Sequence, residues 1–342
     1  MFIVSIVPIN LRPSIHVSKI ILPVVISGII IFSFLPVLQI IQVLSPRMGL
    51  IQSFQAVLLT YELGKSWMVT VFASTILLIF VILYDIGEKK RYGYAGAFIM
   101  FLVILSLGWS SHAGSIDRLW GFLNDTMHLL AVSVWVGTLY VVSWFSKDSA
   151  KWLAFLKWFS PLAICCFFIT MLTGFVLMSF MVEFRDYPNS WMIPYGQFLL
   201  LKHIFIIPLI IYAFINSIFV RKKLKNEVSF DPKPWAKVES IIILLIFAIT
   251  ASIGQQSPPR ETEISSESVS SLFTSIYQGE FHPSMSIHLY ANPNSILFLL
   301  LAILFLALIT FSFLRRVPAI VSFYISLCLV ASIYIAIMFS VE

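Results

Sequence analysis

Residues 294–314 read NSILFLLLAILFLALITFSFL and contain no acidic or basic side chain. A helix that spans the hydrocarbon core of a bilayer needs about 20 mostly apolar residues, so this stretch predicts one membrane-spanning helix. Eight similar stretches occur elsewhere, at about residues 20–44, 67–85, 94–110, 125–145, 158–181, 197–219, 237–254 and 318–340. We therefore predict an all-α, polytopic transmembrane helical bundle of about nine helices, with eight as the alternative.

The composition agrees with that prediction. Of the 342 residues, 59% are hydrophobic and only 11% are charged, whereas a water-soluble domain has about 25% charged residues. The sequence has no Walker A, GxGxxG, HExxH or GxSxG motif, so nothing indicates nucleotide-driven transport or hydrolysis. We predict that the chain is not an enzyme.

The distribution of basic residues predicts the orientation and argues against nucleic acid as a partner. Sixteen of the 22 Lys and Arg residues lie before the first predicted span or in even-numbered loops, five lie in odd-numbered loops, and Lys202 lies within the sixth span. Basic loops are typically cytoplasmic, so the net charge of +6 reflects topology. We predict a multi-pass protein of the cell membrane, with a cytoplasmic N-terminus and an extracytoplasmic C-terminus.

The predicted domain organisation follows from the same spans. Residues 1–342 are expected to form a single membrane domain. An extracytoplasmic loop at residues 255–293, which could lie as a lid over the helix ends, would be followed by two C-terminal transmembrane helices at residues 294–340.

The fourth predicted span begins with a carboxylate and an imidazole on one helix face. Asp125 and His128 are three residues apart, and Trp135 lies seven further on, so the three side chains share a face. His112 lies shortly before this span, and Met127 adjoins His128. Imidazole and thioether together suit copper. The alternative is that His128 only caps its helix or bonds to a neighbour.

Further candidates lie in the fifth to seventh spans. His203 is a second candidate imidazole ligand, and Lys202 beside it is expected to snorkel or to pair with Asp125, Glu183 or Asp186. Thioether and thiol groups would extend a path for a cuprous ion through the bilayer, with polar groups near its inner end. These are Met178, Met181, Cys165, Cys166, Asn216 and Glu239. For methionines, ordinary core packing is the alternative.

The outer loop supplies one more pattern. His282, Met285 and His288 have the spacing His-x-x-Met-x-x-His, which is suited to copper capture on a flexible segment. Exposed His and Met side chains are also common without any ligand, so both interpretations stay open.

Several of these segments resemble the copper resistance protein D family, including Bacillus-type copper uptake membrane proteins. The strongest similarity covers residues 158–259, in FSPLAICCFFITMLTGFVLMSF, PYGQFLLLKHIFIIPLIIYAFIN and WAKVESIIILLIFAITASIGQQSPP, and a weaker one extends over residues 60–259. The segments SHAG and DTMHLLAVSVWVG resemble the family's histidine segments, although its usual Gly pair reads Gly137–Thr138 here. The resemblance carries over His112, Asp125, His128, Trp135, Thr173, Gly174, Tyr195, Gly196, Lys202, Asn216 and Glu239.

The resemblance implies movement of copper across the cytoplasmic membrane, with an extracytoplasmic copper-binding protein as an expected partner. Membrane lipid is a further expected partner, because the chain is predicted to span the bilayer. A negative cell interior favours entry of a cation, so we predict a permease that captures copper ion outside and passes it inward. Two alternatives remain open from the sequence: a haem-binding electron-transfer protein that uses His128 and His203, and a non-transporting factor that delivers copper to an oxidase.

Overall fold

The structure is a computed structural model that describes residues 1–111, 114, 117–227, 229–262, 265, 267–277, 279, 282 and 285–342. In these residues the regular elements are helices, and nine helical spans are long and apolar enough to cross a membrane. One of these spans, Ile21–Met48, consists of two consecutive helices, Ile21–Ser33 and Leu35–Met48. The predicted all-α, polytopic class is confirmed. The chain divides into two compact units, Met1–Leu177 and Met178–Glu342, and each is described by itself. The single membrane domain stays a prediction.

The first unit contains seven complete helices and most of an eighth. They are α1 (Phe2–Ile6), α2 (Ile21–Ser33), α3 (Leu35–Met48), α4 (Leu50–Thr60), α5 (Glu62–Leu83), α6 (Lys90–Trp109), α7 (Trp120–Phe145) and α8 (Trp152–Met181). Helix α5 packs against α2 and α6, and α6 also packs against α7. This order places the start of α7 beside the end of α6.

Two short helices of this unit, α1 and α4, were not predicted from the sequence. Helix α4 has 11 residues, fewer than the about 20 that identify a spanning segment. Gly49, at φ 83°, separates it from α3; this left-handed backbone conformation favours glycine. Val57 of α4 is buried against Val37 and Ile41 of α3. Burial of this short apolar face explains why α4 forms.

Small and hydroxylated side chains bring α5, α6 and α7 close together. Ser66 of α5 donates a hydrogen bond to the backbone carbonyl of Ser106 on α6, and Thr70 Oγ1 lies 2.8 Å from Ser106 Oγ. A Cβ on Gly108 of α6 would overlap the side chain of Thr126 on α7. Small residues permit such close helix packing in membranes, and here they fix α7, which carries Asp125 and His128.

The second unit is built around four long helices. After the end of α8 come α9 (Pro194–Phe214), a π-helical segment (Ile215–Val220), α10 (Arg221–Asn226), α11 (Lys233–Ile253), α12 (Ser271–Ile276), α13 (Pro293–Leu314) and α14 (Ala319–Phe339). Helix α9 packs against α11 and α14, and α13 packs against α14. Asn292 caps α13 by accepting a hydrogen bond from the Ser295 amide at 2.9 Å.

The described residues of the segment 255–293 pack against the helices of this unit. Phe273 and Ile287 are buried in one cluster with Met192. The Ser270 amide donates to the Met192 carbonyl and the Ile287 amide donates to Asn189 Oδ1, both at 2.8 Å. Burying a phenylalanine side chain stabilises a protein by about 1.5–3 kcal/mol. The segment is therefore attached at several points along its length.

Candidate functional site

The imidazole of His128 on α7 is held by a hydroxyl group of α8. Its Nδ1 lies 2.9 Å from Thr173 Oγ1. The Thr173 hydroxyl in turn donates to the carbonyl of Ile169 one turn earlier, at 2.7 Å. A hydroxyl has one proton, so Thr173 accepts a hydrogen bond from His128 Nδ1–H. In a neutral imidazole this arrangement puts the lone pair on Nε2.

Two neighbouring contacts strengthen this junction of α7 and α8. Asn124, one turn before His128, donates from Nδ2 to the Thr173 carbonyl at 2.9 Å. A Cβ on Gly174 would lie 3.6 Å from His128 Cε1, so the ring packs directly over this glycine. Together they restrict the orientation of the imidazole, as a metal-binding histidine requires. The same contacts also agree with the alternative interpretation, in which His128 only joins neighbouring helices.

The other predicted residues of α7 have different environments. Asp125 is half-buried one helical turn before His128. Met127 is 45% exposed and lies about 100° around the helix from His128. Trp135 is buried, and its ring meets that of Phe167 on α8 edge-on, with the centroids 5.7 Å apart. The second candidate imidazole, His112, lies outside the described residues.

His203 of α9 has a tyrosine partner in the second unit. The hydroxyl of Tyr187 lies 2.7 Å from His203 Nδ1, and the two rings meet edge-on. Burial raises the pKa of Tyr187 to about 12, so its hydroxyl stays protonated at neutral pH. A metal ion would have to bind at Nε2, which carries the lone pair of the neutral imidazole only if Nδ1–H donates to the Tyr187 oxygen.

The carboxylates named as partners for Lys202 have other contacts. Glu183 Oε1 lies 3.8 Å from Arg260 Nη2, and Asp186 Oδ1 accepts a hydrogen bond from Asn189 Nδ2 at 3.4 Å. Arg260 also donates to the Phe180 carbonyl at 3.3 Å. Arg260 therefore ties the end of α8 to the segment that follows α11.

The methionines at the end of α8 lie in a packed environment. Met178 is buried in a cluster with Val182, Ile193 and Tyr195, and Met181 packs against the same cluster. This is the packing role expected of methionine in the absence of a ligand. It leaves their predicted part in a copper path without direct structural support.

Asn216 and Glu239 form a buried polar pair between the π-helical segment and α11. Asn216 Nδ2 donates to Glu239 Oε2 at 2.7 Å and to the Trp235 carbonyl at 3.3 Å. Both side chains are less than a tenth exposed, and Asn216 Oδ1 has no hydrogen-bond partner among the described residues. π-Helical turns occur often at functional sites, so the pair remains a candidate for the inner path.

The cysteines and the loop residues are placed as follows. Cys165 is exposed and Cys166 is buried, both as free thiols on α8. His282 and His288 are exposed, whereas Met285 is partly buried against the cluster that contains Phe273. His288 exchanges two backbone hydrogen bonds of 2.9 Å with Glu342. The loop is thus anchored to the C-terminal residues.

Within the described part of the chain, no three His, Cys, Asp or Glu side chains form a group that could hold a metal ion. The predicted ligands are also divided between the two units, with Asp125, Met127 and His128 in the first and Met178, Met181 and His203 in the second. Their assignment as ligands therefore stays a prediction.

Sequence reasoning missed three residues that position these groups. Thr173 was noted only through the family resemblance, and Asn124 and Tyr187 were not singled out. The spacing of Asn124 and His128, one turn apart on one helix face, was an available signal. Nothing local indicated Tyr187, because it lies 16 positions before His203 outside the predicted spans.

The described fold defines a multi-pass, all-α membrane protein. Residues 153–253 match the sequence model of the family described as Copper resistance protein D, and the predicted resemblance to that family is confirmed. This matched region includes Thr173, His203, Asn216 and Glu239 and begins after His128.

A curated relative supports the same relationship. The Copper transport protein CutJ of Bacillus subtilis (strain 168) is 24% identical over 208 residues, which cover 57% of this chain and 37% of that protein. The match thus spans little more than a third of the relative's length. No solved structure matches the chain.

Proposed function

We propose that this protein is a copper permease that captures copper ion at the extracytoplasmic face and passes it inward. The observation that carries the proposal is the bond between His128 Nδ1 and Thr173 Oγ1, because it orients the ring and leaves the lone pair on Nε2. Oriented imidazole nitrogen is a common copper ligand.

The capture site would combine residues at the start of α7 with the segment before it. His128 supplies one nitrogen, and His112 supplies a second in this proposal. Asp125, one turn from His128, either binds the ion through a carboxylate oxygen or orients a ligand. The exposed thioether of Met127 adds a soft donor that favours Cu(I) over zinc.

Further residues would carry the ion away from the capture site. We assign this role to Met178, Met181, Cys165 and Cys166, with Asn216 and Glu239 at the inner end. His203 would assist capture, as would Met178 and Met181 at the outer end of the path. His282, Met285 and His288 would form a separate loop capture site. Entry of a monovalent cation into a negative interior gains about 2.3 kcal/mol per 100 mV. The membrane potential thus supplies a driving force without a nucleotide.

The comparisons support copper as the substrate. The family description names copper resistance, and the Bacillus subtilis relative is named a copper transport protein. Direction of transport rests on the electrical argument and on the charge distribution between loops.

Uptake of radioactive copper into proteoliposomes tests the proposal. We expect wild-type vesicles with a negative interior to accumulate copper, and the double variant His112→Ala/His128→Ala to accumulate about tenfold less or lower. His16→Ala is the matched control, since His16 is bonded to Phe145 only through its backbone amide. Uptake by wild type no greater than by the double variant overturns the transport assignment; copper bound without uptake would then favour a delivery factor.

The haem alternative has a separate readout. A haem held by His128 and His203 gives a strong Soret absorption in the purified protein, whereas copper binding does not. Copper stoichiometry of wild type and His128→Ala, measured on the same samples, completes the distinction: equal stoichiometry shows that His128 is not the capture ligand.

A further inference from the structure

The first unit contains a large cavity that the proposed copper path does not use. Its volume is about 1080 Å³, and it lies between α5, α6 and the start of α7. The lining is mostly apolar, and its wall on α5 includes Val69, Phe72 and Ile76, whose side chains are 43%, 69% and 42% exposed. The cavity is therefore open along the side of the helices.

The polar groups of the cavity are concentrated at one end. Glu62, at the start of α5, and Arg118, just before α7, both line it. Trp109 at the end of α6 donates from Nε1 to Glu62 Oε2 at 3.0 Å. Lys65 Nζ lies 3.1 Å from Glu62 Oε1. Among the described residues, the charged side chains that line this end are Glu62 and Arg118, and the Glu62 carboxylate is also paired with Lys65 on its other side.

The length of the cavity matches the thickness of one leaflet of a bilayer. Its α5 lining extends from Glu62 to Ile76, which corresponds to about 21 Å at a rise of about 1.5 Å per residue. One leaflet of a bilayer, including its headgroups, is about 20–22 Å thick. A phospholipid with its headgroup at Glu62 and Arg118 would therefore reach the apolar end with its acyl chain.

We propose that this cavity binds one phospholipid that has a primary ammonium headgroup. The lipid phosphate pairs with the Arg118 guanidinium, the ammonium group donates to the Glu62 carboxylate, and an acyl chain lies along Val69, Phe72 and Ile76. The order of charges in the headgroup complements the two charges at the cavity mouth. A choline headgroup has no N–H to donate to Glu62, and a glycerol headgroup has no positive charge.

Native mass spectrometry of the full-length protein tests this site. The purified chain in detergent is mixed with phosphatidylethanolamine, phosphatidylcholine or phosphatidylglycerol of identical acyl chains. We expect the one-lipid adduct to be about fivefold more abundant with phosphatidylethanolamine than with either other lipid, as is typical of an exposed ion pair. Equal adducts with all three lipids contradict the proposal.

Substitutions of residues that line the cavity test each proposed contact with the lipid. Arg118→Gln should lower the phosphatidylethanolamine adduct by about fivefold. Glu62→Gln keeps an acceptor for Trp109 and should abolish the preference for phosphatidylethanolamine over phosphatidylcholine. Val69→Trp should fill the cavity and lower the adducts of all three lipids.

Arg47→Gln and Glu88→Gln are the matched controls, because Arg47 and Glu88 are charged residues of the same unit that lie outside the cavity. Both control variants should bind lipid as the wild type does. The proposal is wrong if Arg118→Gln and Glu62→Gln retain the wild-type preference, or if the two controls lose it to the same extent.

Discussion

The Nδ1 atom of His128 lies 2.9 Å from the Oγ1 atom of Thr173, 45 positions later in the chain. Because the Thr173 hydroxyl donates its own proton to the Ile169 carbonyl, it acts as an acceptor for the imidazole N–H. The contact therefore selects one tautomer of His128 as well as one ring orientation. A side chain of α8 determines what the imidazole of α7 is able to bind.

Replacement of the Thr173 hydroxyl should weaken copper binding. Thr173→Val keeps the shape of the side chain but removes the acceptor for His128 Nδ1–H. Loss of a partner that orients a ligand typically costs about 10- to 100-fold in metal affinity. Competition titration with a chromogenic copper chelator measures this loss, and Thr173→Ser, which keeps the hydroxyl, should bind as wild type. Unchanged affinity in Thr173→Val would exclude this role.

Removal of the Asp125 charge should also lower copper affinity. Asp125→Asn keeps the size of the side chain and abolishes its charge one turn from His128, and we expect about a tenfold loss. Asp117→Asn is the control, because Asp117 Oδ1 accepts hydrogen bonds from the Leu119 and Trp120 amides at 3.1 and 3.0 Å and an asparagine oxygen does the same. The same chelator competition applies, and an equal loss in both variants would argue against a specific role of Asp125.

Truncation of Phe273 should destabilise the second unit. The side chain is fully buried in the cluster with Met192 and Ile287, and phenylalanine to alanine changes in cores cost about 3–5 kcal/mol. Neighbouring Leu272 is 38% exposed, so Leu272→Ala should change stability by about 0.5 kcal/mol or less. Reversible unfolding in mixed detergent micelles compares the two, and equal effects would show that the segment contributes no specific packing.

The buried pair Asn216–Glu239 should behave as a coupled unit. Asn216→Leu removes the 2.7 Å partner of the Glu239 carboxylate and leaves a buried polar group unsatisfied, at a cost of about 1–3 kcal/mol. In the double variant Asn216→Leu/Glu239→Leu neither group is left unpaired. A double-mutant cycle should therefore give a coupling free energy of about 0.5–3 kcal/mol. Additive effects of the two changes would mean that the pair is not coupled.

Tyr187 should make the protein less stable at alkaline pH. Burial raises its pKa from 10.0 to about 12, so above pH 10 the unfolded chain loses this proton before the folded one does. The resulting stability is present below pH 10 and is lost as the pH rises towards 12. Thermal unfolding from pH 8 to 12 should show a steeper decline for wild type than for Tyr187→Phe. Parallel curves would indicate that Tyr187 titrates alike in both states.

The local sequence determined the membrane fold of this protein. Long uncharged stretches such as residues 294–314 predict spanning helices. The bilayer core has no water to bond the backbone N–H and C=O groups, and a helix satisfies these groups internally. Nine such spans are present among the described residues, one of them formed by α2 and α3 together. Residue motifs also predicted that residues 153–253 are similar to the Copper resistance protein D family. Helix α4 has only 11 residues, which is too short to be recognised as a spanning segment. It forms because one face is buried against α3, and the length of an apolar stretch does not predict such burial.

Only the tertiary structure decided which side chains act on one another. The contacts of His128 with Thr173 and of His203 with Tyr187 join residues 45 and 16 positions apart, and the cavity at Glu62 and Arg118 joins the start of α5 with the segment before α7. Hydropathy depends on neighbours along the chain, whereas these contacts depend on how small residues allow helices to approach. For this reason the sequence predicts that His128 lies in a membrane helix, and the packing of α7 on α8 decides its tautomer.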